Sequence, residues 1–474
     1  MTNDDVPSSM VNGPSSKLET QRETTPPASA ILLVFMVYVA GTTCNWGFLS
    51  WWGLALVLGA VALAFWFHVR PQWQGPSSEA LLTGILIACL VASCHLVTGQ
   101  HQQTVKYDSS WRLTGYGIAI KVLMAAALFI ALTYLARPRP PVAKSRLVAL
   151  VLIAIAVRVL VLFSSPMPRV DVFISQTHGA IGLPEGKNVY LMTFPSPYAP
   201  NERFSHFGYP PAVVYCNVIS WHLFKDVRAA WIICDLLAAL LMYLLARRVN
   251  PGAEHERLCE LLPLTFLFLP RALFVIEQSW TEPLVIVSLA GFALAVAAGR
   301  GPALAGGLLG LWLSSKQYVA LAVPLLLKLR RWTRWTWIMA AAVALILILP
   351  FALWDFSGMM YNVIGFFLKS EGRPDSLSLY GLLKATTNQE IPWWVVAPIW
   401  LAGIAWFTWK MPRNLAGMLF ATASLWMFFF LFGKQAFMNY FHLVAFTLLL
   451  AVAAVPRASE KRGAPREGAD VGAA

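Results

Sequence analysis

The sequence predicts an all-α, polytopic membrane protein with about 13 to 14 transmembrane helices, because one span requires roughly 20 residues. Three observations predict this class. The 474-residue chain is 58% hydrophobic. Only 12% of its residues are charged, whereas a soluble domain carries about 25%. Its mean hydropathy is +0.62, and apolar runs recur along most of its length.

Fourteen apolar runs are interpreted as spanning segments. They cover residues 29–44, 48–68, 79–98, 113–136, 146–165, 228–246, 258–273, 283–299, 302–314, 317–329, 335–353, 392–409, 414–432 and 436–455. The pair 302–314 and 317–329 is short. We therefore expect a broken or tilted hairpin there, which is tolerated only when it packs inside protein.

Composition divides the chain into four regions. Residues 1–28 and 457–474 are polar and are predicted to be disordered cytoplasmic tails. Residues 29–136 are predicted to form a four-helix membrane module, and residues 137–456 form the main membrane domain. Six cysteines show no metal-binding or disulfide spacing, so no metal site is predicted. The net charge of +13 is attributed to basic loops between membrane helices, not to nucleic-acid binding.

Basic residues in short loops indicate which end of each helix faces the cytoplasm. They lie in the segments 137–146, 247–257, 328–334, 410–413 and 457–466. If all of these are cytoplasmic, Asp171 and the two long loops 166–227 and 354–391 lie outside. This orientation requires that residues 209–224 form a helix lying on the outer leaflet and not a membrane span. Pro210 and Pro211 stand near the start of this segment.

Asp171 is the first candidate for chemistry. It follows an apolar run that stops at Ser164-Ser165-Pro166. A carboxylate at such a junction can act as a general base that deprotonates an acceptor hydroxyl. The alternative is an acid that pairs with Arg169 or caps a following helix. Spacing alone leaves both interpretations open. His178 and His206, in the same loop, are interpreted as solvated or hydrogen-bonded side chains.

Further charged residues cluster at other outer turns. Glu277 and Glu282 are candidates for a second acid, or for positioning an acceptor, although Glu282 near a helix N-terminus has a structural explanation too. Lys316 and Lys434 each precede a glutamine at an outer turn. A lysine there suits a phosphate, or it extends toward lipid headgroups. Further candidates for phosphate binding are Arg203, Arg271 and Arg373.

Two charges and several polar or aromatic residues complete the set. Arg158 and Asp235 lie inside apolar runs, where charges tend to pair, so an Arg158–Asp235 pair is expected. Aromatic faces at outer loops can stack on sugars, although a membrane-interface belt also explains them. The candidates for sugar contact are Tyr209, Trp280, Gln317, Gln435 and Asn439.

Taken together and in order, these features resemble the GT-C superfamily of integral membrane glycosyltransferases. Within it they are most similar to the polyprenol-phosphate-mannose-dependent mannosyltransferases (glycosyltransferase family 87-like). The resemblance covers roughly residues 146–456. It rests on Asp171 in the first long loop, Asn188-Val189-Tyr190 running to Tyr209-Pro210-Pro211, the acidic turn Glu277 to Glu282, Gly306-Gly307-Leu308-Leu309-Gly310 leading to Lys316, and Lys434-Gln435 to Asn439-Tyr440.

The resemblance implies a hexosyltransferase of the bacterial inner (cell) membrane with an extracytoplasmic active site. Its donor would be a polyprenyl-phosphate sugar, mannose or another hexose, and its acceptor a lipid or glycan. Asp171 would act as the base, with inversion at the anomeric carbon and often without a metal or other cofactor. The polyprenyl chain would lie between helices, with its phosphate near Lys316 or Lys434. Glu277 and Glu282 depart from an aspartate-containing pair that the family often shows.

Two other classes of function remain open at this point. A transporter or flippase of lipid-linked sugars would use Arg158, Asp235 and the short helix pair to line a path. Transporters often show repeated halves, and the sequence shows no convincing internal repeat. A membrane scaffold would leave Asp171 and both Lys-Gln turns unexplained.

Overall fold

Helices make up nearly all of the regular structure. The computed structural model describes residues 25–73, 75–98, 115–135, 142–199, 201–329 and 332–457, and it is 76% helical with almost no strands. The helices are α1 (Ala28–Thr43), α2 (Trp51–Val69), α3 (Ser78–Thr98), α4 (Gly115–Leu132), α5 (Val142–Ser164), α6 (Asp171–Gly182), α7 (Pro211–Phe224), α8 (Arg228–Val249), α9 (Glu256–Leu267), α10 (Ala272–Glu277), α11 (Glu282–Ala297), α12 (Pro302–Leu313), α13 (Val323–Lys328), α14 (Arg334–Met360), α15 (Phe366–Lys369), α16 (Leu379–Thr387), α17 (Trp393–Lys410), α18 (Leu415–Leu431) and α19 (Met438–Ala453). Strands β1 (Phe194–Pro195) and β2 (Arg203–Phe204) pair antiparallel, with Phe194 opposite Phe204.

Several helices have the length and composition of membrane spans. Among the described residues, seven are long and apolar enough to cross a bilayer. They are Ala28–Gly47, Trp51–Val69, Ser78–His95, Gly115–Leu135, Lys144–Ser164, Arg228–Val249 and Arg334–Lys369. Shorter apolar helices include α11, α12, α18 and α19. The predicted all-α class is confirmed, with seven helices of spanning length among the described residues. The total number of spans stays a prediction.

The predicted segments and the observed helices differ at several places. The loop predicted after residue 165 contains α6, which was not predicted, whereas α7 agrees with the helix predicted over residues 209–224. The second long loop, 354–391, contains α15 and α16. The segment predicted at 258–273 is two helices, because Arg271 takes a left-handed conformation with φ of 67° between them. Helix α14 continues past the predicted end at 353. Asp355 kinks this helix, and its Oδ1 accepts the Gly358 N–H at 3.1 Å, which restarts the helix in the manner of an N-cap.

The first four helices share one apolar core with the rest of the described chain. Buried residues of this core run from Ala28 to Ala454. Helix α1 packs on α19, α2 on α18, and α3 on α9. The predicted boundary between residues 136 and 137 lies outside the described residues, as do residues 1–24 and 458–474 of the predicted tails.

Two glycines bring α12 against the backbone of α14. A Cβ on Gly306 would collide with the carbonyl oxygen of Thr336, and one on Gly310 with that of Ala340. Small residues four apart allow such close helix packing in membrane proteins. The glycine run found in the sequence therefore fixes the distance between these two helices.

The expected pair between Arg158 and Asp235 is confirmed. The guanidinium lies 3.4 Å from the carboxylate, and both side chains are fully buried. Arg158 also donates to the carbonyl oxygens of Ala154 and Leu267, and His442 Nε2 lies 3.7 Å from Asp235 Oδ1. The pair joins α5 to α8 inside the bundle.

We expect Asp235→Asn to destabilise the protein by about 3–5 kcal/mol, because it leaves the buried Arg158 charge without its counter-charge. Thermal unfolding in lipid nanodiscs measures this loss as a lower melting temperature. The double variant Arg158→Met/Asp235→Leu removes both charges and is expected to melt close to the wild type. A single variant as stable as the wild type would show that the pair contributes nothing.

Candidate functional site

A cavity of about 630 Å³ is lined by Arg373 and by half of the other twelve predicted site residues. Those lining it are Asp171, Tyr209, Trp280, Lys316, Gln435 and Asn439. They come from five separate parts of the chain: the start of α6, the turn before α7, the turn before α11, the turn after α12, and the start of α19 with the turn that leads into it. The fold therefore brings an acid, a cation, two amides and two aromatic rings to one place.

Asp171 is the first residue of α6, where a carboxylate is favoured by the helix dipole. Its Oδ1 accepts the N–H of Val172 at 3.0 Å, and its Oδ2 lies 3.7 Å from His206 Nε2. The side chain is 32% exposed in the cavity wall. Within the described part of the chain, the ion-pair partner of Asp171 is His206 and not Arg169. Asp171 is thus held in place while one edge stays accessible to a ligand.

His206 was interpreted from the sequence as a solvated or hydrogen-bonded side chain and was not predicted to belong to the site. Its ring stacks on Phe366 with centroids 4.2 Å apart and planes 9° from parallel, and it lines the same cavity. Phe366 begins α15, in the second long loop. The stack holds the imidazole next to Asp171. A contact between the two long loops therefore determines which group lies beside the candidate acid.

Lys316 is held in a buried polar cluster at the cavity floor. Its Nζ lies 2.9 Å from Glu282 Oε1 and 2.8 Å from Thr281 Oγ1. The same carboxylate oxygen accepts hydrogen bonds from Asn439 Nδ2 at 2.9 Å and from the Tyr318 hydroxyl at 3.2 Å. Glu282 is fully buried and Lys316 nearly so. Glu282 is therefore the counter-ion of the lysine and not a solvated acid.

Tyr209 lines the same cavity as the acid and the cation. The Lys316 ammonium is 4.8 Å from its ring centroid, within the range of a cation–π contact. Burial raises the pKa of the Tyr209 phenol well above its ordinary value, and the nearby charges of Asp171 and Glu282 raise this pKa further. The hydroxyl therefore stays protonated at neutral pH and can donate a hydrogen bond.

A buried network joins α6 to the turn before α11. Gln176 Nε2 donates to the Ser279 carbonyl at 2.8 Å, and Gln176 Oε1 accepts the Ser279 hydroxyl at 2.8 Å and Trp231 Nε1 at 3.2 Å. All three side chains are fully buried. Ser279 takes a left-handed φ of 58°, which a non-glycine residue adopts only when its surroundings hold it. The network fixes the helix of Asp171 relative to Glu282.

The other six predicted residues lie away from the lining of this cavity. Arg271 packs its guanidinium over Trp46 and Phe274, and Glu277 lies beside it around a smaller cavity of about 50 Å³. Arg203 is exposed and bonds Thr193. The remaining three are Glu282 beneath Lys316, Gln317 directly after it, and Lys434.

Lys434 is bound to backbone instead of facing the cavity. Its Nζ donates to the carbonyl oxygens of Ser370 at 2.8 Å and Leu368 at 3.2 Å, and it lies 3.7 Å from Glu390. Of the five predicted phosphate-binding residues, Lys316 and Arg373 line the cavity. Arg373 is paired with Asp375 at 2.7 Å.

Neither a metal-binding group nor a comparison with known proteins identifies the role of this site. The described part of the chain contains no group of three or more His, Cys, Asp or Glu side chains that could hold a metal ion. No protein-family model matches the chain, and no curated protein matches it.

Proposed function

We propose that this protein is a GT-C-type membrane glycosyltransferase. It moves a hexose, mannose or another, from a polyprenyl-phosphate donor to a lipid or glycan acceptor outside the cytoplasm. The observation that supports this most is the single cavity that holds a partly exposed carboxylate, Asp171, together with a buried lysine, Lys316. A group-transfer reaction with a phosphate leaving group needs both a base and a cation.

In the proposed reaction, Asp171 accepts the proton of an acceptor hydroxyl. The acceptor oxygen forms a bond to the anomeric carbon on the face opposite the phosphate, and the bond from that carbon to the phosphate oxygen breaks. The configuration is inverted, and polyprenyl phosphate leaves with the bonding electron pair. Lys316 stabilises the charge on the departing phosphate, and Asp171 later releases its proton to water.

The remaining cavity residues position the sugar. Trp280 offers an aromatic face, and Gln435 and Asn439 offer amides that can bind hydroxyls. Tyr209 can donate a hydrogen bond from a phenol that stays neutral. His206 restrains the Asp171 carboxylate. None of these roles requires a metal ion.

The test of this function is transfer by the purified protein in phospholipid nanodiscs, supplied with a panel of radiolabelled polyprenyl-phosphate hexoses and with lipid or glycan acceptors. Formation of a glycosylated product from one of these donors is the expected result. No product from any donor would contradict the proposal. Movement of an unchanged lipid-linked sugar across proteoliposomes would instead favour the transporter.

The proposal includes fourteen spans, with α6, the hairpin β1–β2 and α7 on the outer surface. We expect Glu185→Cys to react with an impermeant maleimide on intact cells, because the Glu185 side chain is 51% exposed in the first long loop. It is preferred to the adjacent Gly186, whose φ of 78° disfavours any side chain. This cysteine variant and the one described next are each made in otherwise cysteine-free protein.

Gly301→Cys is the matched variant for the opposite side. Gly301 is exposed between α11 and α12, and a Cβ there meets no atom within 4 Å. It is expected to react only after the membrane is permeabilised. The reverse pattern of labelling would invert the proposed orientation, and labelling of both positions in intact cells would contradict a membrane protein with this arrangement.

A further inference from the structure

The turn between α1 and α2, residues Cys44–Leu49, is attached to the main domain on several sides. Trp46 lies under the Arg271 guanidinium, 4.3 Å from its ring centroid, and its carbonyl accepts a hydrogen bond from Arg271. Leu49 N donates to the Asp375 carbonyl at 3.0 Å, and Phe48 forms an antiparallel bridge with Ser376. The first helices are therefore tied to the second long loop at this turn.

The backbone of the turn is specified by these contacts. Asn45, Trp46 and Gly47 take φ values of 44°, 64° and 79° in succession. Non-glycine residues hold such conformations only where the surrounding structure determines them, often at functional sites. A Cβ at Gly47 would lie 2.5 Å from Met438 Sδ, so α19 also packs directly against the turn.

The turn forms one wall of the cavity that holds Asp171. Asn45, Trp46, Gly47, Phe48 and Leu49 all line it. The same cavity is lined by the Arg373–Asp375 ion pair. The Arg373 and Asp375 side chains are 54% and 38% exposed. This wall combines an exposed amide, an accessible ion pair and the Phe48 ring.

The wall and the floor at Lys316 are both ion pairs, but they present different groups to the cavity. Glu282, the partner of Lys316, does not line the cavity, so that pair presents its ammonium alone. Arg373 and Asp375 both line it, with contacts of 2.9 Å and 2.7 Å between them. A paired guanidinium and carboxylate offer both donors and acceptors to hydroxyl groups but no surplus charge for a phosphate. The wall therefore suits a neutral ligand rich in hydroxyls.

We propose that residues Asn45–Leu49, with Arg373 and Asp375, form the acceptor subsite of this cavity, and that it takes the carbohydrate portion of the acceptor. This inference rests on the proposed glycosyl transfer. It gives the turn between α1 and α2 a role that its sequence does not reveal, because that turn supplies one wall of the site. The acceptor hydroxyl then reaches Asp171 from this wall, while the donor phosphate lies at Lys316.

The test is the double variant Arg373→Gln/Asp375→Asn, which removes both charges and keeps the backbone bond from Leu49 to Asp375. In the transfer assay we expect the acceptor KM to rise about tenfold, because the variant loses roughly one to two hydrogen bonds to the acceptor. The donor KM is expected to stay unchanged. The matched control, Lys187→Gln/Glu185→Gln, removes an equally exposed ion pair of the first long loop outside the cavity lining. An unchanged acceptor KM would overturn the subsite.

A second measurement separates this proposal from the proposed function. Binding of a panel of free manno-, gluco- and galacto-trisaccharides to the protein in nanodiscs is measured by saturation-transfer NMR, with no transfer required. At least one saccharide is expected to bind the wild type and the control and to bind the Arg373→Gln/Asp375→Asn variant about tenfold more weakly. Equal binding to all three proteins, or binding to none, would contradict the subsite whether or not transfer is found.

Discussion

Asp171→Asn is expected to lower the rate of sugar transfer by about 10²-fold or more, the usual contribution of a general base. The amide has nearly the same shape as the carboxylate, and its oxygen can still accept the N–H of Val172. It cannot take the proton of the acceptor hydroxyl. The variant should therefore bind both substrates and fail at the chemical step, so that kcat falls while KM changes little.

Folding of this variant is expected to be unaffected. The Asp171 side chain is partly exposed, and its nearest ionisable partner, His206, is 3.7 Å away. Glu185→Gln provides the matched control, because it neutralises an exposed carboxylate in the same loop that does not line the cavity. It should transfer sugar at the wild-type rate. If Asp171→Asn did the same, Asp171 would not be the base.

Removal of the Lys316 charge is expected to have two separable effects. Lys316→Met leaves the buried Glu282 carboxylate without its counter-ion, and loss of one partner of a buried pair costs about 3–5 kcal/mol of stability. The single variant should melt at a much lower temperature. Loss of activity in that protein alone would not identify a phosphate contact.

The double variant Lys316→Met/Glu282→Gln isolates the contact with the donor. It removes both charges, and the Gln oxygen can still accept bonds from Asn439 and Tyr318. We expect it to melt near the wild type and to raise the donor KM by about ten- to a hundredfold, because a hydrogen bond to a charged group contributes roughly 1.5–3 kcal/mol. The acceptor KM should not change.

Lys434→Met decides between the two lysines predicted from the sequence. Lys434 donates to the carbonyl oxygens of Leu368 and Ser370 and does not line the cavity. The Lys434→Met variant should have the donor KM of the wild type. A raised donor KM in Lys434→Met, together with an unchanged one in Lys316→Met/Glu282→Gln, would move the phosphate site to the turn before α19.

Local patterns were sufficient to predict most of the helices. Apolar runs indicated the helices, and the paired charges of Arg158 and Asp235 could be predicted because isolated charges are costly in apolar surroundings. Helix α6 was missed because it begins right at Asp171, within a segment interpreted as loop. The predicted end of α14 at 353 was wrong because Asp355 ends the apolar run but restarts the helix through its own side chain.

The candidate site was harder to predict, because its contacts join distant parts of the chain. Glu282 and Lys316 are separated by 34 positions, and Gln176 and Ser279 by 103. Nothing in either local sequence indicates the partner. The turn at Asn45 lies 126 positions before Asp171 in the sequence numbering, so its place in the same cavity follows only from how α1 packs on α19.

The close approach of α12 and α14 has a consequence for how the chain tolerates mutation. Gly306 and Gly310 bring the two main chains together without intervening side chains, and Lys316 follows the end of α12 after a short turn. The position of the ammonium group is therefore set by backbone contacts. Apolar side chains on the exposed side of α12 can vary without moving it, whereas even an alanine at Gly310 would shift the helix and the lysine together.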